Sequence, residues 1–230
     1  MTAADVDGQL PLVLPHQAAQ GATFLIGASN EAAFGLIDAW PAWPAPVTLL
    51  AGPVGSGKSH LTQIWLSESG GALVEAPQLA SADMEALVAP GAVAVEDAHR
   101  GFDETALFHL LNLARDRGAA VLITSRTWPV SWGLKLPDLA SRLRAATPVE
   151  ILEPDDGLLR QVLVKLFSDR QIDIDPTVVD YLVVRMERSV AAAQALVEAL
   201  DRASLAAAGR RITRPLCRAH SRSRGISFAG

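Results

Sequence analysis

The sequence predicts an α/β protein: a three-layer αβα core on a five-stranded parallel sheet, followed by a small all-helical C-terminal domain. Three observations carry this expectation. Short apolar runs rich in β-branched residues recur between residues 46 and 153; helix-length segments separate them; and beyond that point only helical patterning remains.

The candidate strands are PVTLLAG (46–52), GALVEA (71–76), GAVAVED (91–97), AAVLITS (119–125) and TPVEILE (147–153). Near-continuous apolar strands alternating with helices are what a parallel sheet covered on both faces requires. The clearest intervening helix is DETALFHLLNLARDRG (103–118), where Asp103 caps the start, Leu107, Leu110, Leu111 and Ala114 share one face, and Gly118 follows the end. After EPDD (153–156) the spacing predicts helices over about 156–169, 176–186 and 189–208, the middle one opened by the DIDPT turn. The expected organisation is an extended segment at 1–20, a core at 21–152, a helical domain at 153–216 and a disordered basic, Ser-rich tail at 217–230. Trp40 and Trp43, among prolines in DAWPAWPAP (38–46), read as a packed linker.

Composition narrows the function classes. A formal charge of -5 argues against autonomous nucleic-acid binding, which needs clustered cations, so any DNA contact is expected to be indirect. A single cysteine, Cys217, excludes an intramolecular disulfide and fits a reducing compartment. The five histidines are too scattered for a protein-made metal site. The N-terminus carries no signal-peptide pattern, and no apolar run is long enough to span a membrane.

GPVGSGKS (52–59) satisfies the phosphate-loop pattern G-x-x-x-x-G-K-[ST] and stands between a predicted strand and a predicted helix, the context that gives the pattern meaning. Small residues let backbone N–H groups turn inward around a phosphate, and the helix N-terminus adds partial positive charge. Lys58 would reach the β- and γ-phosphates, and Ser59 would ligate Mg²⁺. Gly52, Val54, Gly55, Ser56, Gly57, Lys58, Ser59 and His60 are therefore candidate contacts for ADP or ATP. Paired acids at the end of a buried strand are costly without a cation. Glu96 is thus the candidate metal-side acid and Asp97 the candidate water-orienting one. A longer Glu more commonly orients the water; with the order reversed, hydrolysis in cis is expected to be slow. Thr124 and Ser125 end the fourth strand with hydroxyls suited to holding that water, to reading the γ-phosphate, or to ordinary strand-end capping.

With the phosphate loop, VAVEDAH (93–99), VLITSRTWP (121–129) and LASRLRAA (139–146) in this order, the chain resembles the AAA+ ATPases of the bacterial replication-initiator DnaA group. Within it, the chain is similar to the Hda-type regulators in their alphaproteobacterial form, over about residues 9–215. The resemblance implies a nucleotide held between the core and a helical lid. FLIGASNEAAF (24–34) is similar to the family's adenine-side segment and marks Ile26, Gly27 and Asn30 as base or ribose neighbours. LASRLRAA places an arginine finger, offered in trans, on Arg142, with Arg144 as the fallback. QLPLVLP (9–15) is similar to the peptide by which such proteins bind the β-subunit sliding clamp, through Gln9, Leu10, Leu12 and Leu14. In the lid, the position of the family's nucleotide-sensing arginine falls on Ala191.

The resemblance implies DnaA and the clamp as partners, DNA only through the clamp, no membrane, and a bacterial cytoplasmic setting near the nucleoid. It leaves room for a homodimer. The chain ends about where the initiator's DNA-reading domain would begin, which is expected of a regulator rather than an initiator. A helicase-loader-like adaptor and a small-molecule P-loop kinase with Asp97 as base remain open alternatives.

Overall fold

The computed structural model describes residues 24–206, 212–215 and 217. The expected clamp-binding peptide at 9–15 and residues 218–230 of the expected tail lie outside them.

Five strands, β1 (Val47–Ala51), β2 (Ala72–Glu75), β3 (Ala92–Glu96), β4 (Ala120–Ser125) and β5 (Thr147–Glu150), form one sheet in the order β2-β3-β4-β1-β5. All pairs are parallel. The core helices are α1 (Glu31–Asp38), α2 (Lys58–Ser69), α3 (Met84–Val88), α4 (Glu104–Arg117) and α5 (Pro137–Arg144). The lid follows with α6 (Asp156–Asp169), α7 (Pro176–Val183) and α8 (Val190–Ala206). Asp103 accepts from the Ala106 N–H and Gly118 closes α4 in a left-handed conformation, as its sequence predicts.

Alternation along the strands sorts the core into two faces. Leu49, Val93, Val95, Val121 and Ile123 pack against α3, α4 and α5. Leu50, Ala92, Ala94 and Leu122 face α1 and α2. The small Ala92 and Ala94 leave room for Trp65 of α2, which is fully buried and stacks on Trp43 with ring centroids 5.0 Å apart. The tryptophan-proline linker is thereby fastened to the sheet.

Two predicted segments end early. TPVEILE pairs only to Glu150, because Ile151 donates to Ala51 and Leu152 then turns away to donate to the Ser29 carbonyl. The middle lid helix stops at Val183, since the N–H groups of Arg185 and Met186 both fold back on the Leu182 carbonyl. The lid has its own core, centred on Leu159, Leu163, Phe167, Leu182, Val197 and Leu200, to which the buried Cys217 contributes. Burial pushes the Cys217 thiol up to about 11. Among the described residues no helix is long and apolar enough to cross a membrane.

Removing the largest buried side chain should be expensive: Trp65→Ala is expected to lower the unfolding free energy by about 3–5 kcal/mol in urea titration. A loss well under 1 kcal/mol would contradict the packing described for the α2 face.

Candidate functional site

Where β1 ends, the chain rises through Gly52–Gly57 and enters α2 at Lys58. Gly52 must lack a side chain, because a Cβ there would lie 2.6 Å from the Ile151 carbonyl oxygen and 2.9 Å from Ser56 Oγ. Gly55 has φ +70°, and its Cβ would meet Ala191 Cβ at 2.8 Å. The lid thus closes directly on the loop. Val190 N–H, at the start of α8, donates to the Gly55 carbonyl at 3.1 Å, and Ser189 Oγ caps the same helix end by accepting from Ala192 N–H.

Lys58 is nearly buried and donates from Nζ to the carbonyls of Gly52 and Pro53, both at 2.8 Å. Burial holds its pKa below the ordinary 10.5; Asp97 opposes that shift, Arg126 adds to it, and Glu96 opposes it. Ser56 Oγ is buried with no hydrogen-bond partner among the described residues. A loop with a Cβ-free floor, an inward cation and an orphaned hydroxyl has the donors a phosphate chain takes, and the first N–H groups of α2 add more.

The acids stand across from this loop. Glu96 ends β3, and its Oε1 is buried without a partner, a costly arrangement unless a cation or water sits there. Asp97 follows with φ 60°, a left-handed conformation uncommon outside glycine and found where geometry is imposed. Its N–H donates to Thr124 Oγ1 at 3.1 Å, so Thr124 fixes the turn. The Asp97 carboxylate lies 3.8 Å from both His99 Nδ1 and Arg100. Ser125 Oγ is buried and accepts from Thr127 N–H, shaping the chain as it leaves β4.

Beside the loop, a cavity of about 180 Å³ opens between core and lid. Asn30, Ser56, Gly57 and His60 line its core side. Ile26 instead packs into the α1–α2 core, and Gly27 lies against lid residue Leu158, where a Cβ would come within 3.1 Å of that residue's Cβ. Asn30 spends its amide internally, accepting from Gly27 N–H and donating to the Leu25 carbonyl. Gly52, Val54, Gly55, Lys58 and Ser59 are not part of this cavity's lining; Val54 projects into solvent and Ser59 is exposed at the start of α2. Motif reasoning did not find Phe24, Leu158, Val162 or Gln194, which also line the cavity. Phe24 stacks on Phe34 at 5.7 Å and meets the His60 ring edge-on. The only sequence signal for the lid contributors is the i, i+4 spacing of Leu158 and Val162 on one helix.

Arg142 is elsewhere. Its helix α5 covers the sheet face opposite α2, and its guanidinium lies over Phe108, 5.2 Å from the ring centroid. Glu104 steadies the start of α5 by accepting from the N–H groups of Lys135 and Leu136, bonds that lower its pKa. Arg144 is exposed and donates to the Ala140 carbonyl on its own helix.

Because the Gly55 turn meets Ala191, Gly55→Ala is expected to destabilise the chain by about 1–3 kcal/mol through strain and overlap. Adding Ala191→Gly should restore part of that loss, the share due to overlap; urea midpoints of the single and double variants measure it. No recovery would show that the two residues do not meet.

Residues 156–220 match the family model described as the lid domain of Hda. No curated protein sequence matches the chain. Among solved structures, the fold is similar to domain III of the Thermotoga maritima replication initiation protein DnaA, at 14% identity and a TM-score of 0.73, covering 90% of this chain and 95% of that one. A structure described as a DNA replication initiation factor aligns at 18% identity and a TM-score of 0.67, covering 80% of this chain and 64% of that one. AMPPCP-bound DnaA from Aquifex aeolicus aligns at 20% identity and a TM-score of 0.65, covering 78% and 63%. This chain therefore spans 64% and 63% of the length of the latter two. At such identities the likeness is one of fold: a phosphate-loop core carrying a helical lid. The chain thus joins a phosphate-loop α/β core, of a fold shared with domain III of DnaA, to a C-terminal segment that matches the lid domain of Hda.

Proposed function

We propose that this protein regulates the initiation of DNA replication. In this reading it holds ADP or ATP with Mg²⁺ between core and lid, binds the sliding clamp through Gln9, Leu10, Leu12 and Leu14, and presents Arg142 in trans to the ATP of DnaA. The observation that carries the reading is the pairing of an Hda-type lid with a phosphate loop on one sheet face and Arg142 on the helix layer of the other. In this reading that arginine, on the face away from α2 and over Phe108, would serve a neighbour's nucleotide rather than its own.

The residues present fit a nucleotide. Bound there, it would supply a polyanion bridging loop and lid. Lys58 and the loop N–H groups would hold the phosphates, with Ser59 and Glu96 disposed toward Mg²⁺. In this reading Asp97 and Ser125 would orient a water; the backbone of Asp97 is pinned by Thr124. His60 and Asn30 border the cavity that suits the base, with Ile26 and Gly27 supporting the turn behind it. At Gly55 the lid presents the methyl of Ala191, and the lid cation lining the cavity, Lys165, is paired with Asp169, which favours a nucleotide that is permissive or structural over one turned over rapidly.

Arg142 would stabilise charge developing on the partner's terminal phosphate, an effect worth about 10³–10⁵ in rate for such fingers. The leucines of residues 9–15 would enter an apolar groove on the clamp, with flanking prolines limiting the entropy lost on docking. The kinase alternative calls for lid arginines aimed at the phosphates. Those near the site are committed elsewhere: Arg160 to Asp180, and Arg188 to Asp156 and the Pro154 carbonyl.

Mixing DnaA–ATP with this protein and clamp-loaded DNA is expected to accelerate ATP loss. Arg142→Ala should abolish the acceleration, by about 10³-fold for a full finger, while leaving clamp pull-down intact. The paired change Gln9→Ala and Leu10→Ala should instead remove clamp capture. Absence of acceleration by the unaltered protein, with clamp and nucleotide both bound, would overturn the regulatory reading.

A further inference from the structure

The first turn of α8 fixes where the rest of that helix points. Val190 N–H donates to the Gly55 carbonyl at 3.1 Å and Ala191 lies against Gly55, so the start of the helix is seated on the phosphate loop. Ala193, Leu196, Val197 and Leu200 anchor the helix in the lid core. Under these two constraints Val190 and Gln194, four residues apart and so on one helical stripe, both line the cavity between core and lid.

Three polar side chains around that cavity are already engaged. Asn30 accepts from Gly27 N–H and donates to the Leu25 carbonyl, and Lys165 is paired with Asp169 at 2.8 Å. Gln194 is exposed, and among the described residues no hydrogen bond holds its carboxamide. Phe24, Leu158 and Val162 add apolar lining. At about 180 Å³ the space is smaller than the roughly 300 Å³ from which sites enclose a whole drug-sized ligand. It suits one flat ring system, with the rest of the ligand outside it toward the loop. A carboxamide holds N–H donors beside a C=O acceptor. An adenine edge offers the complement, an amino donor beside a ring-nitrogen acceptor, which is the pairing glutamine makes with adenine in DNA.

We infer that Gln194 reads the base of the bound nucleotide, its carboxamide oxygen accepting from the 6-amino group of a purine and its amide nitrogen donating to the adjacent ring nitrogen. The inference rests on the nucleotide reading above and adds to it a specificity-determining residue supplied by the lid. The loop and Lys58 would hold any nucleoside diphosphate alike; Gln194 would favour the one that carries a 6-amino group.

The test is equilibrium binding of two ligands with Mg²⁺, ADP and purine-riboside 5′-diphosphate, which differ only in the 6-amino group, to the full chain and to Gln194→Met. Methionine keeps the length and helix preference of glutamine and removes the amide. The unaltered chain should prefer ADP. Gln194→Met should weaken ADP binding about tenfold, the scale of two neutral hydrogen bonds, and narrow that preference about threefold, the share of the bond to the amino group. Thermal melts without ligand should coincide, because the replaced side chain is exposed and makes no internal bond. Equal weakening of both ligands, or of neither, would overturn the assignment and leave nucleotide binding standing. Failure of the unaltered chain to bind either ligand would remove the nucleotide reading and this inference with it.

Discussion

The functional half of the molecule depends on one contact, the approach of the lid to the phosphate loop. Val190 N–H reaches the Gly55 carbonyl, and Ala191 presses where a Gly55 side chain would stand. This seats the first turn of α8 on the loop and closes the cavity between Phe24 and His60 on one side and Leu158 and Gln194 on the other. Gly27 against Leu158 makes a second close approach of the same kind. Core and lid thus meet closely at two glycines, Gly55 against Ala191 and Gly27 against Leu158.

Charge is distributed to match. Lys58 is buried and satisfied by two loop carbonyls, which a phosphate would outbid only by offering full negative charge. Glu96 carries an orphaned oxygen, Asp97 is held in a left-handed conformation, and Arg126 has no counterion among the described residues. The buried orphan oxygen and the left-handed backbone are unfavourable in isolation, as at a site built to take a charged ligand.

Much of the fold was legible because its signals are local. Apolar runs bounded by Gly and Asp gave five strands within a few residues of their observed limits, and Asp103, Gly118, Asp155 and Asp175 cap helices as their chemistry requires. The early end of β5 was not legible, since it depends on Ser29, far away in sequence, offering its carbonyl to Leu152. Nor was it legible that Asn30, which borders the cavity, also closes the turn beside it with both ends of its amide.

The sequence by itself determined the phosphate loop, the acid pair and the order of strands and helices along the chain, because spacing and turn chemistry act between near neighbours. Only the tertiary structure decided that α5 and α2 lie on opposite faces of the sheet and that Ala191 meets Gly55. Strand order is not chain order: β4 inserts between β3 and β1, and that crossover, invisible to any local pattern, brings the end of β4 to the first glycine of the loop.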